Sequence, residues 1–261
     1  MIRKIFSLIL FCQIVSGCTE NRASFYIQDM KVPTEECVIP ADKSATYYSW
    51  GIWDIGLLGA YHVHPLTIND MTSSKKLNPL AAESNLIQVD GAWVTVMDLN
   101  DNELSGESFV PSPCTVEPEG GATSMDFETI TKDMYSRISD LSPGVLYRVN
   151  DLCTSPVKST IILRIKVTGV TAGGQNVETP YFYFPVTVCC GCLVYFPSDT
   201  WDESIGSYNC HSSESTTTEK ICFLDFQDGP VDCRLCAGYN STLCDPATPI
   251  GTFCNPWLFC P

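Results

Sequence analysis

An alternation of apolar and polar residues near the middle of the chain constrains the fold more than any other feature. Between Ile161 and Thr168, the residues Leu163, Ile165 and Val167 are interleaved with Arg164, Lys166 and Thr168. Successive side chains on a strand point to opposite faces, so this pattern specifies a strand with one face buried and the other in water. Thr171-Ala172-Gly173-Gly174-Gln175-Asn176 then supplies a turn, and the alternation resumes with Phe182, Phe184, Val186 and Val188 on one side. The result is a long hairpin within residues 160–197. Pro185 has no N–H to donate, which puts the second strand at a sheet edge or turns the proline nitrogen away from a partner.

The chain can bury a core around that hairpin. Of its 261 residues, 44% are hydrophobic and 17% charged, which excludes wholesale disorder, while 17 Gly and 17 Pro favour many turns over long helices. Residues 24–32, with Phe25, Ile27 and Met30 apolar, read as a first strand. Residues 47–53 are dense in aromatics, and residues 57–63 read as another strand. Residues 86–99 read as two strand pieces separated by a turn at Asp90-Gly91. Pro111-Ser112-Pro113-Cys114 reads as a connection, and residues 117–121 as a loop. Phe127, Ile130, Met134, Ile138 and Leu141 recur at three- and four-residue steps, which predicts one helix of about four turns over residues 123–141, ended by Ser142-Pro143-Gly144. Residues 145–149 read as a further strand. The expected fold is mainly β, an antiparallel sandwich-like domain over residues 24–197 with one helix, followed by a disulfide-rich irregular tail over residues 198–261.

Cysteine usage explains how such a tail stays folded. Of 15 cysteines, Cys12 and Cys18 fall in the N-terminal segment. The other 13 are Cys37, Cys114, Cys153, Cys189, Cys190, Cys192, Cys210, Cys222, Cys233, Cys236, Cys244, Cys254 and Cys260. Ten of them crowd into residues 189–260, where aliphatic residues are sparse, so covalent staples must replace a core. In an oxidising compartment the simplest count is six disulfides and one leftover thiol. Neighbours on a strand point to opposite faces, so Cys189 and Cys190 are expected to bond to different partners, one in the β-domain and one in the tail.

The N-terminus explains the oxidising compartment. Arg3 and Lys4 precede an apolar run to Val15 that is too short to span a bilayer, and small residues follow. Val15-Ser16-Gly17-Cys18 resembles the cleavage motif of a bacterial lipoprotein signal peptide: an aliphatic residue, two small residues and cysteine. The resemblance implies removal of residues 1–17, a diacylglycerol on the Cys18 sulfur, an acyl chain such as palmitate on its amine, and residues 18–23 as a short tether to the bilayer. Thr19 is not the aspartate that retains such proteins at the inner membrane in enteric bacteria, so the resemblance points to the outer membrane. Without residues 1–17 the chain has 13 basic and 30 acidic residues, a net charge of −17, which repels phosphate backbones and excludes nucleic acid as a partner.

Candidate chemistry is sparse. Cys233-Arg234-Leu235-Cys236 has the spacing of a thiol oxidoreductase motif but lacks the strand-helix setting that activates its first cysteine. The close cysteines at 189, 190, 192, 233 and 236 could be read as zinc thiolates, although export favours their oxidation. His62 and His64 share one side of a strand without a third ligand that the sequence identifies. Asp98-Leu99-Asn100-Asp101-Asn102 begins like a calcium loop, but Glu103 and Phe109 stand where that loop needs Gly and Glu, so an acidic turn is expected. No catalytic motif, metal or cofactor is therefore expected. Tyr48, Trp50 and Trp53 form a candidate ligand patch, with core packing as the alternative for such rings.

Leu163-Arg164-Ile165-Lys166-Val167-Thr168-Gly169-Val170-Thr171-Ala172-Gly173-Gly174, Phe182-Tyr183-Phe184-Pro185-Val186-Thr187-Val188-Cys189 and Gly191-Cys192-Leu193-Val194 together resemble a group of outer-membrane lipoproteins without an assigned activity, known chiefly from myxobacteria. The resemblance directly covers under a fifth of the chain, and it implies habitat and architecture without a mechanism. The expectation is a lipid-anchored envelope protein, a non-enzymatic structural or binding module for an envelope protein or glycan. A carbohydrate- or peptide-binding accessory protein and an extracytoplasmic thiol oxidoreductase are the alternatives.

Overall fold

Twelve strands carry the architecture up to Cys189: β1 Phe25–Lys31, β2 Tyr47–Tyr48, β3 Gly51–Asp54, β4 Tyr61–Val63, β5 Pro65–Asn69, β6 Ile87–Met97, β7 Ser108–Val116, β8 Gly121–Ser124, β9 Phe127–Ile130, β10 Ser159–Thr171, β11 Asn176–Glu178 and β12 Phe182–Cys189. Among the described residues two α-helices accompany them, α1 Ser74–Leu77 and α2 Lys132–Leu141. The computed structural model describes residues 23–34, 36–55, 60–141, 158–189, 192–204, 206–208 and 227–234. The expected signal and tether, the strand at residues 145–149 and most of the tail lie outside the described residues.

The chain is mainly β, in two larger sheets that share a core. One has the order β3-β12-β10-β6-β7, with β11 also on β10, and the other has the order β2-β1-β5-β8. β10 behaves as its sequence demands. Ile161, Leu163, Ile165 and Val167 are fully buried, and the residues between them are half-exposed. β12 and β6 pair with it antiparallel on its two sides, so the strand is buried at both edges and on one face. The core beneath it gathers Val94 and Val96 of β6, Phe184 and Val186 of β12, and Phe25, Ile27 and Met30 of β1.

β12 is not at an edge, because its end runs parallel to β3. Pro185 stands opposite Ile162 and one residue before the Val186–Cys189 stretch that β3 covers, so no ladder bond to β3 is lost there.

Three local readings are corrected. Residues 87–97 form one strand: Asp90-Gly91 is a bulge at which the register with β7 shifts, not a turn. Gly91 is needed there because a Cβ would strike the carbonyl oxygen of Val110. The Pro-rich stretch is not a connection but the interior of β7, the edge strand of the larger sheet, where Pro111 and Pro113 point outward and are exposed. The expected helix starts late. β8 and β9 occupy residues 121–124 and 127–130, and α2 begins only at Lys132. β-branched Thr129 and Ile130 suit a strand, and Thr131 caps the helix by accepting the Met134 N–H on its hydroxyl at 3.1 Å. β9 pairs with β4, so the segment gains a second ladder in place of two helical turns.

A piece of the tail is built into the domain. Residues 231–232 run parallel to residues 194–195, and Asp228 and Gln227 insert between β3 and β4, which do not pair with each other. Asp228 N–H donates to Ile52 O at 3.0 Å, while the Gln227 side-chain amide exchanges two bonds of 2.7 Å with the backbone of His62.

The architecture makes unequal demands on the two faces of β10. Leu163→Ala should lower the unfolding free energy by roughly 2–5 kcal/mol, through lost burial and the cavity left behind. Lys166→Ala, on the outward face, should lower it by about 1 kcal/mol or less. Urea unfolding of the two variants measures the difference, and equal losses would contradict the inward assignment of Leu163.

Candidate functional site

The aromatic stretch divides between core and surface. Trp53 is fully buried, edge-on to Tyr135 of α2 with ring centroids 5.7 Å apart. Trp50 is 54% exposed and Tyr48 is half-buried against the core. The stretch spans two strands in different sheets, Tyr48 on β2 and Trp53 on β3, with Trp50 in the bend between them. The three residues therefore do not form one platform, and Trp53 belongs to packing.

Where the tail enters, it forms a half-buried polar cluster. The Asp228 carboxylate accepts the Ile52 N–H at 2.5 Å and the Tyr61 hydroxyl at 3.0 Å, and the Gln227 amide donates to it at 3.1 Å. Gly51 makes room for this, since a Cβ there would overlap the Tyr61 oxygen. Burial pushes the Asp228 carboxyl up to about 6, against the opposing effect of its donors. The same burial, with the Asp228 charge beside it, pushes Tyr48 up to about 12.

On the other side of β4, Asp126 supplies the third group that the sequence did not identify beside the histidines. Its Oδ1 lies 3.0 Å from His62 Nδ1 and 3.3 Å from His64 Nδ1. Those bonds hold the Asp126 carboxyl far below the ordinary carboxylate range. The spacing is that of a carboxylate tying down two imidazoles, and so it fixes β4 to the residues leading into β9.

The cysteines are partly resolved. Cys189 bonds to Cys192, three residues on and within residues 24–197, so this bridge closes a local loop rather than reaching the tail. Buried Asp54 lies within 4.8 Å of both sulfurs and accepts the Leu193 N–H at 3.0 Å. Since the sulfurs are joined to each other, neither serves there as a metal thiolate. Cys37 and Cys233 are also disulfide-bonded. Cys114, expected as a half-cystine, is instead a free thiol on β7, and burial pushes it up to about 11. Cys233 is fully buried, and Arg234 beside it is pinned by Asp232 at 2.6 Å and Asp199 at 2.8 Å. Thiol exchange needs a reachable sulfur, and Cys233 does not offer one. Asp98 closes its own turn, both oxygens accepting N–H groups of Asn100 and Asn102 at 2.8 Å. Cys18, Cys153, Cys190, Cys210, Cys222, Cys236, Cys244, Cys254 and Cys260 lie outside the described residues.

The surface that most resembles a site was missed by the sequence reading. On the outward face of the larger sheet, Trp93 of β6 stands opposite Phe109 of β7, with ring centroids 5.1 Å apart. Lys166 of β10 stands opposite Trp93 on the other side, and Arg164 stands between Thr95 and Tyr183. The Tyr181 ring lies across both cations, 4.8 Å from the Arg164 guanidinium carbon and 5.1 Å from Lys166 Nζ. Glu103 pairs with Arg164 at 2.6 Å and Glu178 with Lys166 at 3.2 Å. The result is a ring-lined band whose cations are already held in place. Its residues come from five strands and two loops, so only the sheet register brings them together.

No family model and no curated protein matches the chain. Two solved structures illustrate the weak structural likenesses. A Northeast Structural Genomics Consortium target shares 11% identity over 48% of this chain and 67% of its own, with a TM-score of 0.28. The solution structure of a protein described as late embryogenesis abundant shares 12% identity over 71% and 82%, with a TM-score of 0.29.

Two outcomes follow from these environments. A carboxyl raised from the ordinary range to about 6 stabilises the fold in its protonated form, fully below pH 4, and that contribution fades as pH rises through 6. Between pH 5 and pH 8, the unfolding free energy should therefore fall by about 1.4 kcal/mol in the parent, and that component should be absent from Asp228→Asn, as read from urea midpoints at each pH. The Asp126 carboxylate acts in the opposite sense and at much lower pH, so it does not interfere. For Cys114, iodoacetamide should label the non-reduced folded protein slowly at pH 7 and many times faster in urea; equally fast labelling of the folded state would contradict the burial of its thiol.

Proposed function

We propose that the chain is an exported, lipid-anchored protein of the bacterial cell envelope, and that its β-domain is a non-enzymatic structural or binding module. The observation that carries the anchoring is Val15-Ser16-Gly17-Cys18 at the end of a short apolar run with a basic start. Several acyl chains on Cys18, each buried methylene contributing ~0.8 kcal/mol, would hold the protein on a bilayer. The disulfides at Cys37, Cys189–Cys192 and Cys233 support an oxidising compartment. Thr19 and the likeness of residues 161–194 to myxobacterial lipoproteins support the outer membrane.

A binding role is supported by the ring-lined band, which exposes aromatic surface that the core does not require. The patch expected at Tyr48, Trp50 and Trp53 gives less support, since Trp53 is buried. Buried and bridged, Cys233 gives the oxidoreductase alternative nothing to react with.

Intact-mass analysis of protein taken from its native membrane, with and without reduction, tests the anchoring. A chain beginning at an acylated Cys18, with palmitate incorporation abolished by Cys18→Ser, is the expected result. An unmodified N-terminus, with Cys18 as a thiol or half-cystine, would overturn it.

A further inference from the structure

We propose that the outward face of the larger sheet is a glycan-binding platform, taking an uncharged sugar chain laid across β7, β6, β10 and β12. The proposal rests on the reading of the domain as a binding module and narrows it to one face and one ligand class. Phe109, Trp93 and Lys166 are consecutive cross-strand neighbours, with Tyr181 lying over Lys166 and Arg164, and Tyr183 beside Arg164. Strands lie ~4.8 Å apart, so three steps make a band roughly 14 Å long, room for a short run of sugar rings.

The chemistry of the band selects its occupant. One face of a sugar ring is lined with C–H groups and packs flat on an aromatic ring, while its hydroxyls require both donors and acceptors at the rim. Arg164 and Lys166 supply donors; Glu103, Glu178 and Glu107 supply acceptors, Glu107 already taking the Tyr181 hydroxyl at 3.4 Å. Each cation is neutralised by its own carboxylate, so the band offers no free cation to an anionic ligand. An uncharged polyhydroxyl ligand leaves both pairs intact. The Tyr181 ring rests on two cations and is still 41% exposed, so it is held in place before any ligand arrives. An extended peptide adding to the sheet is opposed by Pro111 and Pro113 on β7, which remove N–H groups from the open edge.

Affinity electrophoresis of the full mature chain, in gels containing soluble β-1,4-glucan, β-1,3-glucan, mannan or dextran, tests the proposal. Retardation by at least one polysaccharide is expected, weakened about tenfold or more by Tyr181→Ala, Tyr183→Ala and Trp93→Ala. Tyr47→Ala, an exposed ring on the other sheet, should change nothing. Tyr181 and Tyr183 are surface residues, so their variants report even where Trp93→Ala misfolds. No retardation in any gel, or retardation unchanged by the tyrosine variants, overturns the platform. So does self-association that the same variants abolish, which would assign the face to a second copy. Intact mass on the same preparation separates the two readings: an acylated chain that no glycan retards sinks the platform alone, and a retarded chain without lipid sinks the anchor alone.

Discussion

The inward column of β10 is the constraint on which the rest of the molecule depends. Four fully buried aliphatic residues at every second position leave the strand one way to face, and a slip of one residue in either ladder would bring Arg164 and Lys166 into the core. Because both edges of the strand are occupied, its register fixes that of β6 and β12, and through them that of β7 and β3. The outward band is the other half of the same fact. Its rings line up because the aliphatic residues behind them do.

What was legible in the sequence is what repeats over neighbouring residues. The alternation at residues 161–168 and 182–188 found the central hairpin, and Phe25, Ile27 and Met30 found β1, because a period of two is visible within one strand. The helix was overextended because Phe127, Ile130 and Met134 satisfy the three- and four-residue steps of a helix, while Phe127 and Ile130 serve equally on a bulged strand pair with β4. Pro111 and Pro113 read as punctuation, yet an edge strand with outward prolines keeps its ladder on the inner side.

The site was illegible for a different reason. Trp93, Phe109, Lys166 and Tyr181 carry no local signature, and their proximity follows from cross-strand register, which composition does not encode. The aromatic cluster at residues 47–53 is contiguous in sequence, but it divides between β2 of one sheet and β3 of the other, and Trp53 lies in the core. Asp126 was equally hidden: it meets His62 and His64 from 62 to 64 positions away. Cys189 is joined to its near neighbour Cys192, with Cα atoms 5.9 Å apart, a pairing that strand alternation does not indicate.

The insertion of Gln227 and Asp228 between β3 and β4 also sets an order of events. These bonds join residues 165 to 176 positions apart, on the edges of β3 and β4 that β12 and β9 leave uncovered and where no other described strand pairs. A chain emerging from N- to C-terminus can assemble β10 with its partners early, but that gap stays open until the tail has followed. Contacts this distant in sequence are slow to form, because a long loop must close before they yield any stability. For a chain made from its N-terminus onward, completion of the fold is thereby deferred until residue 228 has emerged, and bridges formed before that moment would join cysteines in an unfinished domain.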